Sequence, residues 1–303
     1  MLKTKKLNDF LKIVKKQIPN LAFKRKEKFS SHTTMGVGGR IFAFCEVKDE
    51  DVLLKLLRLC HLYNVPHFIL GNGSNLIASD RVHYLVVIKI SSQNIKKEKN
   101  LLISDSGVSL FVLNSFAIKE GLSGLEWSCG IPGSVGGAVK MNAGSFGFEI
   151  KDVLKSVTYT DGAKIYTKDA KDLDFSYRHS YFSNNNFVIL RAVFELKKGK
   201  SALVKQKSIE FFEKKQLLQP YSDKSAGSIF KKPNETYAPI LIEKCALKGL
   251  KIGDAEVSQK HCGFIVNKGK AKFNEIFKII LKIKKTVFKK FGIMLDEEVI
   301  ILK

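Results

Sequence analysis

The sequence predicts a mixed α/β protein that holds a phosphate-bearing ligand. Apolar residues at helical spacing alternate with short apolar runs that suit strands. Two glycine-rich loops, Gly71-Asn72-Gly73-Ser74-Asn75 and the longer stretch Gly121–Gly147, lie among these elements. The longer one packs eight glycines and one proline into 27 residues yet stays apolar. A flexible linker would be polar and repetitive. Glycine at this density means a backbone that turns with positive φ and is closely approached. Phosphates are the groups that most often need bare backbone N–H donors.

The elements follow in order. Leu7, Phe10, Leu11, Val14 and Ile18 recur at helical spacing and open the chain with a basic amphipathic helix. A short extended piece, then Thr33–Arg40, leads into a strand at 41–47. Asp49 can cap the next helix, whose face is Val52, Leu53, Leu56, Leu57 and Cys60. Strands are expected at 67–70, 84–90 and 101–105, and a helix at 109–120 that Gly121 stops. Strands should dominate 153–196, with a hairpin turn at Asp161-Gly162. Lys197-Lys-Gly-Lys200 is the polar break that best suits a domain boundary. A helix is expected at 202–218, ended by Pro220. The last helix, 273–291, should turn Phe273, Ile276, Phe277, Ile280, Leu281 and Phe288 inward and stop at Gly292. A strand at 298–302 closes the chain.

Bulk properties narrow the function. A chain of 303 residues suits two or three domains. No apolar run is long enough to span a bilayer, and the N-terminus lacks the apolar core of a signal peptide. No membrane insertion and a cytoplasmic location are therefore expected. Five scattered cysteines, with no CxxC pair, argue against a disulfide framework or a metal site. The net charge is +23, but lysines are dispersed along the whole chain. Solvated faces account for them better than a specific nucleic-acid partner does.

The first loop is not a Rossmann fingerprint, because Leu76 stands where the third glycine would fall. No GxxxxGK[ST] run is present either. Two glycine loops suit a diphosphate held from both sides, or else two unrelated turns. Arg178, in Tyr177-Arg-His-Ser180, suits a carboxylate or oxyanion clamp or a surface ion pair. His179 beside it reads equally as packed, exposed or catalytic. Ser225–Pro233 joins small residues to two lysines, either a bare turn or an anion contact. Three carboxylates, Asp296-Glu-Glu298, stand before the last strand, conspicuous in so basic a chain.

Taken in order, these segments resemble the bacterial UDP-N-acetylenolpyruvoylglucosamine reductase family. The runs that carry the resemblance are Thr33–Arg40, Leu70–Leu76, Gly130–Gly137 with Met141–Gly144, Tyr177–Phe182, Gln219-Pro220 with Ala226–Lys231, Leu241–Glu243 with Leu247–Gly249, Val257–His261 with Phe264–Asn267, and Leu295–Val299. The compact length and the Gly263–Val266 run resemble the shorter, second type, which lacks an inserted substrate-covering segment.

The resemblance implies an α+β fold with a two-lobed FAD-binding domain of the vanillyl-alcohol-oxidase type. It implies a lead-in at 1–30, the flavin domain at 31–197, and a C-terminal α/β substrate domain at 201–303 whose last strand returns to the active site. FAD would be noncovalent, NADPH the hydride donor, a UDP-sugar the substrate and the protein a monomer. Arg178, Ser228 and Glu298 take the catalytic positions, with Glu297 the neighbour that a slip of one residue would select. Gly71, Asn72, Gly73, Ser74, Asn75, Gly130, Ile131, Pro132, Gly133, Gly137, Asn142 and Gly144 take the cofactor positions. Lys231 and His261 take substrate positions, and no metal is implied. Lys232 departs from an asparagine found in some relatives, and Cys262 from a common alanine. Another flavoprotein of the same fold is the alternative enzyme, and a basic nucleic-acid module the non-enzymatic one. The latter leaves the glycine loops unexplained.

Overall fold

The computed structural model describes residues 2–233 and 236–303. Two compact units are formed, each from discontinuous chain. The first comprises residues 1–26, 41–72 and 84–213, and the second 27–40, 73–83 and 214–303.

The first unit has two apolar cores. Helices α1 (Leu2–Gln17) and α2 (Glu50–Leu62) belong to one. In α1, Leu7, Phe10 and Val14 are buried, as the spacing predicts. Asp49 caps α2 by accepting from Val52 N at 2.9 Å. These helices share their core with a three-stranded sheet ordered Ile41–Val47, His83–Ile90, His67–Leu70. The second core includes residues of α3 (Leu110–Lys119), α4 (Val135–Lys140) and a five-stranded sheet. That sheet is antiparallel, in the order Ile165–Asp169, Leu154–Thr160, Val188–Glu195, Leu101–Asp105, Ile95–Glu98. Its first two strands form the expected hairpin, with Thr160 opposite Ile165. Asp161 closes the turn, its Oδ1 accepting from Ala163 N and Lys164 N at 2.8 Å each. Residues 173–187, expected to be mostly strand, form turns and irregular chain that carry Arg178. Helix α5 (Ser201–Leu218) runs through the boundary at 213 and 214.

The second unit is built on a four-stranded antiparallel sheet ordered Lys224–Ser228, Phe264–Asn267, Ala255–Val257, Lys251–Ile252. It also contains α6 (Ala238–Lys244) and α7 (Phe273–Phe291). Helix α7 stops where expected, at Gly292 in the left-handed region with φ 69°. Its buried face differs from the expected one. Phe273, Ile276, Ile279, Ile280, Ile283 and Val287 point inward, while Leu281 and Phe288 are half exposed. A stripe drawn through Ile279, Ile283 and Val287 keeps the four-residue spacing of one helix face; Leu281 and Phe288 lie off it. The closing strand, Ile300–Leu302, pairs in parallel with Leu76–Ala78. It begins two residues later than expected, because Glu297 and Glu298 engage another segment.

Candidate active site

In the first unit the two glycine loops meet. Asn72 Nδ2 donates to Pro132 O at 3.2 Å. A Cβ on Gly71 would lie 2.4 Å from Ser134 Oγ, so a side chain there would force that hydroxyl to move. Ser134 in turn caps α4, accepting from Gly137 N at 3.3 Å. Leu110 N, at the start of α3, donates to Gly133 O at 3.0 Å, which pins the loop from behind. A Cβ on Gly136 would fall 2.9 Å from Ser106 Cβ. The Ser106 hydroxyl is buried without a hydrogen-bond partner among the described residues. Buried hydroxyls are normally paired. An orphan beside a glycine loop fits a polar ligand such as a flavin diphosphate, for which residues 130–137 and 71–72 would supply close-approach backbone.

Residues 73–75 belong to the second unit and explain themselves differently. Gly73 has φ 65°, and a Cβ there would lie 1.9 Å from His32 O. Thr34 N donates to Gly73 O at 3.2 Å. Gly73→Val should therefore break chain packing rather than merely crowd a phosphate, at a cost of about 3 kcal/mol or more. Gly133→Val should lower flavin retention with little loss of apoprotein stability. Paired thermal melts and flavin absorbance check this; a Gly73→Val protein that melts like wild type would contradict it.

Asn75 reaches the acidic segment. Its Nδ2 donates to Glu298 O at 3.1 Å, and Ile300 N donates to Asn75 O at 3.0 Å. The same segment runs antiparallel to residues 229–231. Glu298 N donates to Ile229 O at 2.8 Å, and Lys231 N to Asp296 O at 2.9 Å. Glu298 is thereby placed beside the residue that follows Ser228. Ser228 ends its strand opposite Phe264, after an irregularity at Gly227, where φ is 80°. Glu297 faces elsewhere: both of its carboxylate oxygens lie 2.9 Å from Lys284 Nζ on α7. The Glu297 carboxylate is thus engaged by Lys284 of α7.

His261 sits at the turn before Phe264. Its Nδ1 accepts from Gly263 N at 3.2 Å, and its ring meets Phe264 edge-on at 5.0 Å. Burial pushes its pKa below the usual histidine value. With Nδ1 accepting, the neutral ring carries its proton on Nε2. Lys232 lies over the Tyr237 ring at 4.7 Å, so its departure from asparagine is taken up by a cation–π contact.

Arg178 stands in the first unit on a tight turn closed by Ser176 and His179, which exchange both backbone hydrogen bonds. Its φ is 52°, a left-handed conformation that a non-glycine residue holds at a cost. The guanidinium donates to Gly144 O at 3.1 Å, lies 3.9 Å from Glu149 Oε1, and covers the Tyr177 ring at 4.8 Å. Asn142 ties this arrangement together. It is fully buried, and its Nδ2 donates to Glu149 Oε2 at 3.0 Å and to Ser176 O at 2.9 Å. Its Oδ1 accepts from Lys151 N at 3.1 Å. The Asn142 amide thereby braces the Arg178 turn. Gly144 is likewise required by its own hairpin, since a Cβ would lie 2.4 Å from Phe148 O. Glu149, which the sequence did not single out, sets a carboxylate beside Arg178. His179 pairs with the exposed Asp174 at 3.6 Å, a surface contact.

No group of three or more potential metal ligands occurs among the described residues. All five cysteines are free thiols, and burial pushes Cys60 up to about 12.

Comparison with known proteins decides the family. Residues 219–302 match the model described as the C-terminal domain of UDP-N-acetylenolpyruvoylglucosamine reductase. Residues 42–164 match that of an FAD-binding domain. The reductase of that name from Clostridium novyi is 41% identical over 89% of this chain and 88% of its own length. The chain belongs to the UDP-N-acetylenolpyruvoylglucosamine reductase family. A second reductase of this family, from Clostridium tetani, is 38% identical over 98% of both chains. The crystal structure of the reductase from Thermus caldophilus superposes with a TM-score of 0.81 at 30% identity, covering 93% of this chain and all of that one. The expected fold, an α+β FAD-binding domain followed by the C-terminal domain of reductases of this family, is borne out, and with it an oxidoreductase.

Proposed function

We propose that the protein reduces the enolpyruvyl group of UDP-N-acetylglucosamine enolpyruvate to give UDP-N-acetylmuramate, with NADPH as hydride source, in peptidoglycan precursor synthesis. The observation that carries this reading is the pairing of the 229–231 and 296–298 segments. In it the Glu298 N–H bonds Ile229 O, next in sequence to Ser228, while Lys284 engages the Glu297 carboxylate, and this supports Glu298 rather than Glu297 as the acting residue. Bound FAD would relay a hydride from NADPH to the methylene carbon of the substrate.

The chain's own residues supply the rest of the chemistry. Hydride addition at the methylene carbon leaves negative charge on the adjacent carbon, delocalised into the carboxylate as an enolate. Arg178 meets that charge as a guanidinium held in place by Glu149 and Gly144, so little reorganisation is needed when the charge develops. Ser228 Oγ–H delivers the proton to the carbon beside the carboxylate. Glu298, in protonated form or through a water, polarises the same intermediate. Lys231 and His261 Nε2–H offer donors to the substrate's anionic and sugar oxygens. The reading carries with it a cytoplasmic monomer without a specific nucleic-acid partner. No helix among the described residues is long and apolar enough to cross a membrane.

The test is NADPH oxidation by the purified holoenzyme. The enolpyruvyl substrate should drive stoichiometric oxidation, while UDP-N-acetylglucosamine, which lacks the double bond, should not. Equal oxidation with both, or with neither, would contradict the proposal.

A further inference from the structure

The second unit contains a cleft of about 760 Å³ that none of the roles above uses. That volume is typical of a small-molecule site. Its charged lining is lopsided. Lys28, Arg40, Lys224 and Lys270 face it, against one carboxylate, Asp80. Asp80 is itself engaged at the start of α7, its Oδ2 accepting from Phe273 N at 2.8 Å. Among the described residues no ion pair joins Lys28, Lys224 or Lys270 to a carboxylate. Nearby Lys268, outside the cleft, is paired with Asp223 at 3.0 Å.

The backbone holds these cations close together. Lys28 and Arg40 stand directly opposite each other on an antiparallel bridge. The glycines that follow the first bend make this approach possible. A Cβ on Gly38 would lie 2.5 Å from Phe29 Cβ, and one on Gly39 2.0 Å from Arg81 O. Glycine at both positions lets residue 40 return alongside residue 28. At Gly36 the missing side chain leaves room for the Lys224 stem, whose Cδ would lie 3.1 Å from a Cβ there. These glycines therefore serve chain packing, and what the packing achieves is a concentration of positive charge.

The cleft is separate from Ser228 and Glu298. Lys224 and Ser228 stand at opposite ends of the same strand, and neither Ser228 nor Glu298 lines the cleft. Asp80 follows the Leu76–Ala78 strand, whereas Asn75, the partner of Glu298, precedes it. We propose that this cleft binds a polyphosphate group, carried by a nucleotide or as the inorganic ion. Three lysines without a carboxylate partner among the described residues, Lys28, Lys224 and Lys270, suit a multiply charged phosphate better than a single carboxylate.

Calorimetric titration of the FAD-saturated full-length protein tests this, with ATP and inorganic triphosphate as separate probes. The salt is set at about 0.15 M, where dispersed surface charge is largely screened. Saturable binding to a single site is expected. Lys28→Gln with Lys270→Gln should weaken it by about tenfold or more, while Lys282→Gln with Lys285→Gln, exposed on α7 outside the cleft, should change it by less than about twofold. Flavin content and melting temperature should be unchanged in both double variants. Tighter binding of ATP assigns a nucleoside to the cleft, and equal binding assigns the phosphates alone. Absence of saturable binding, unchanged affinity in the cleft variant, or an equal loss in the α7 variant would overturn the proposal.

Discussion

Ser228→Ala should leave the first half of the reaction intact and cripple the second. The substitution removes one hydroxyl from the end of a strand whose pairing with Phe264 is made by backbone, so fold and flavin should survive. Reduction of the flavin by NADPH needs no proton delivered to carbon and should proceed at a near-normal rate. Reoxidation by the enolpyruvyl substrate should slow by about 10²–10⁴-fold, the usual span for a lost general acid. Rapid-mixing absorbance measurements separate the two halves. Ser225→Ala, three residues earlier on the same strand, is the control and should be mild. Its carbonyl, not its hydroxyl, is what Thr34 Oγ1 binds, at 2.6 Å. Equal slowing of both halves in Ser228→Ala would show that the residue shapes the pocket or positions flavin, and the acid would have to be sought elsewhere.

Glu298→Gln and Glu297→Gln should behave as opposites. Glu298→Gln should lower the rate of substrate reduction by about 10²-fold or more, since a positioned carboxyl group is lost from beside the developing charge. Glu297→Gln should be nearly silent in turnover. Its cost should appear in stability instead, because it removes one partner of the two-pronged contact with Lys284. Both side chains of that pair are about a quarter exposed, so the loss should stay near 0.2–1 kcal/mol. Single-turnover reoxidation and thermal melts, run on both variants, check the two halves of this claim. The reverse ranking in turnover would mean that the acidic segment had been read one residue out of register.

Local elements were legible because local chemistry decides them. Asp49 caps α2, Gly292 ends α7, and Asp161 closes its hairpin through contacts that span a few residues. The glycine loops were legible for a similar reason, since loops that must approach each other closely cannot carry side chains. What the sequence concealed is long-range. Residues 27–40 and 73–83 join the C-terminal part of the chain in one unit, and nothing in their composition announces it. The face of α7 was misjudged at Leu281 and Phe288 because apolar residues occur on more than one side, and only packing selects among them. Glu149 went unnoticed because its partner Arg178 is 29 positions away, across irregular chain with no periodic pattern. Asn142 enters the cofactor positions through the family resemblance alone. Its burial and its bonds to Glu149 and Ser176, which brace the Arg178 turn, are long-range contacts that the sequence does not display.

The absorption spectrum of the purified protein, followed without oxygen, tests the central claim most directly. The protein should be yellow, with a flavin band that denaturation releases into solution, as a noncovalent FAD requires. NADPH should bleach that band, and UDP-N-acetylglucosamine enolpyruvate should restore it, one substrate consumed per flavin. A colourless protein that takes up no FAD, or a bleached flavin that the enolpyruvyl substrate leaves reduced, would contradict the account.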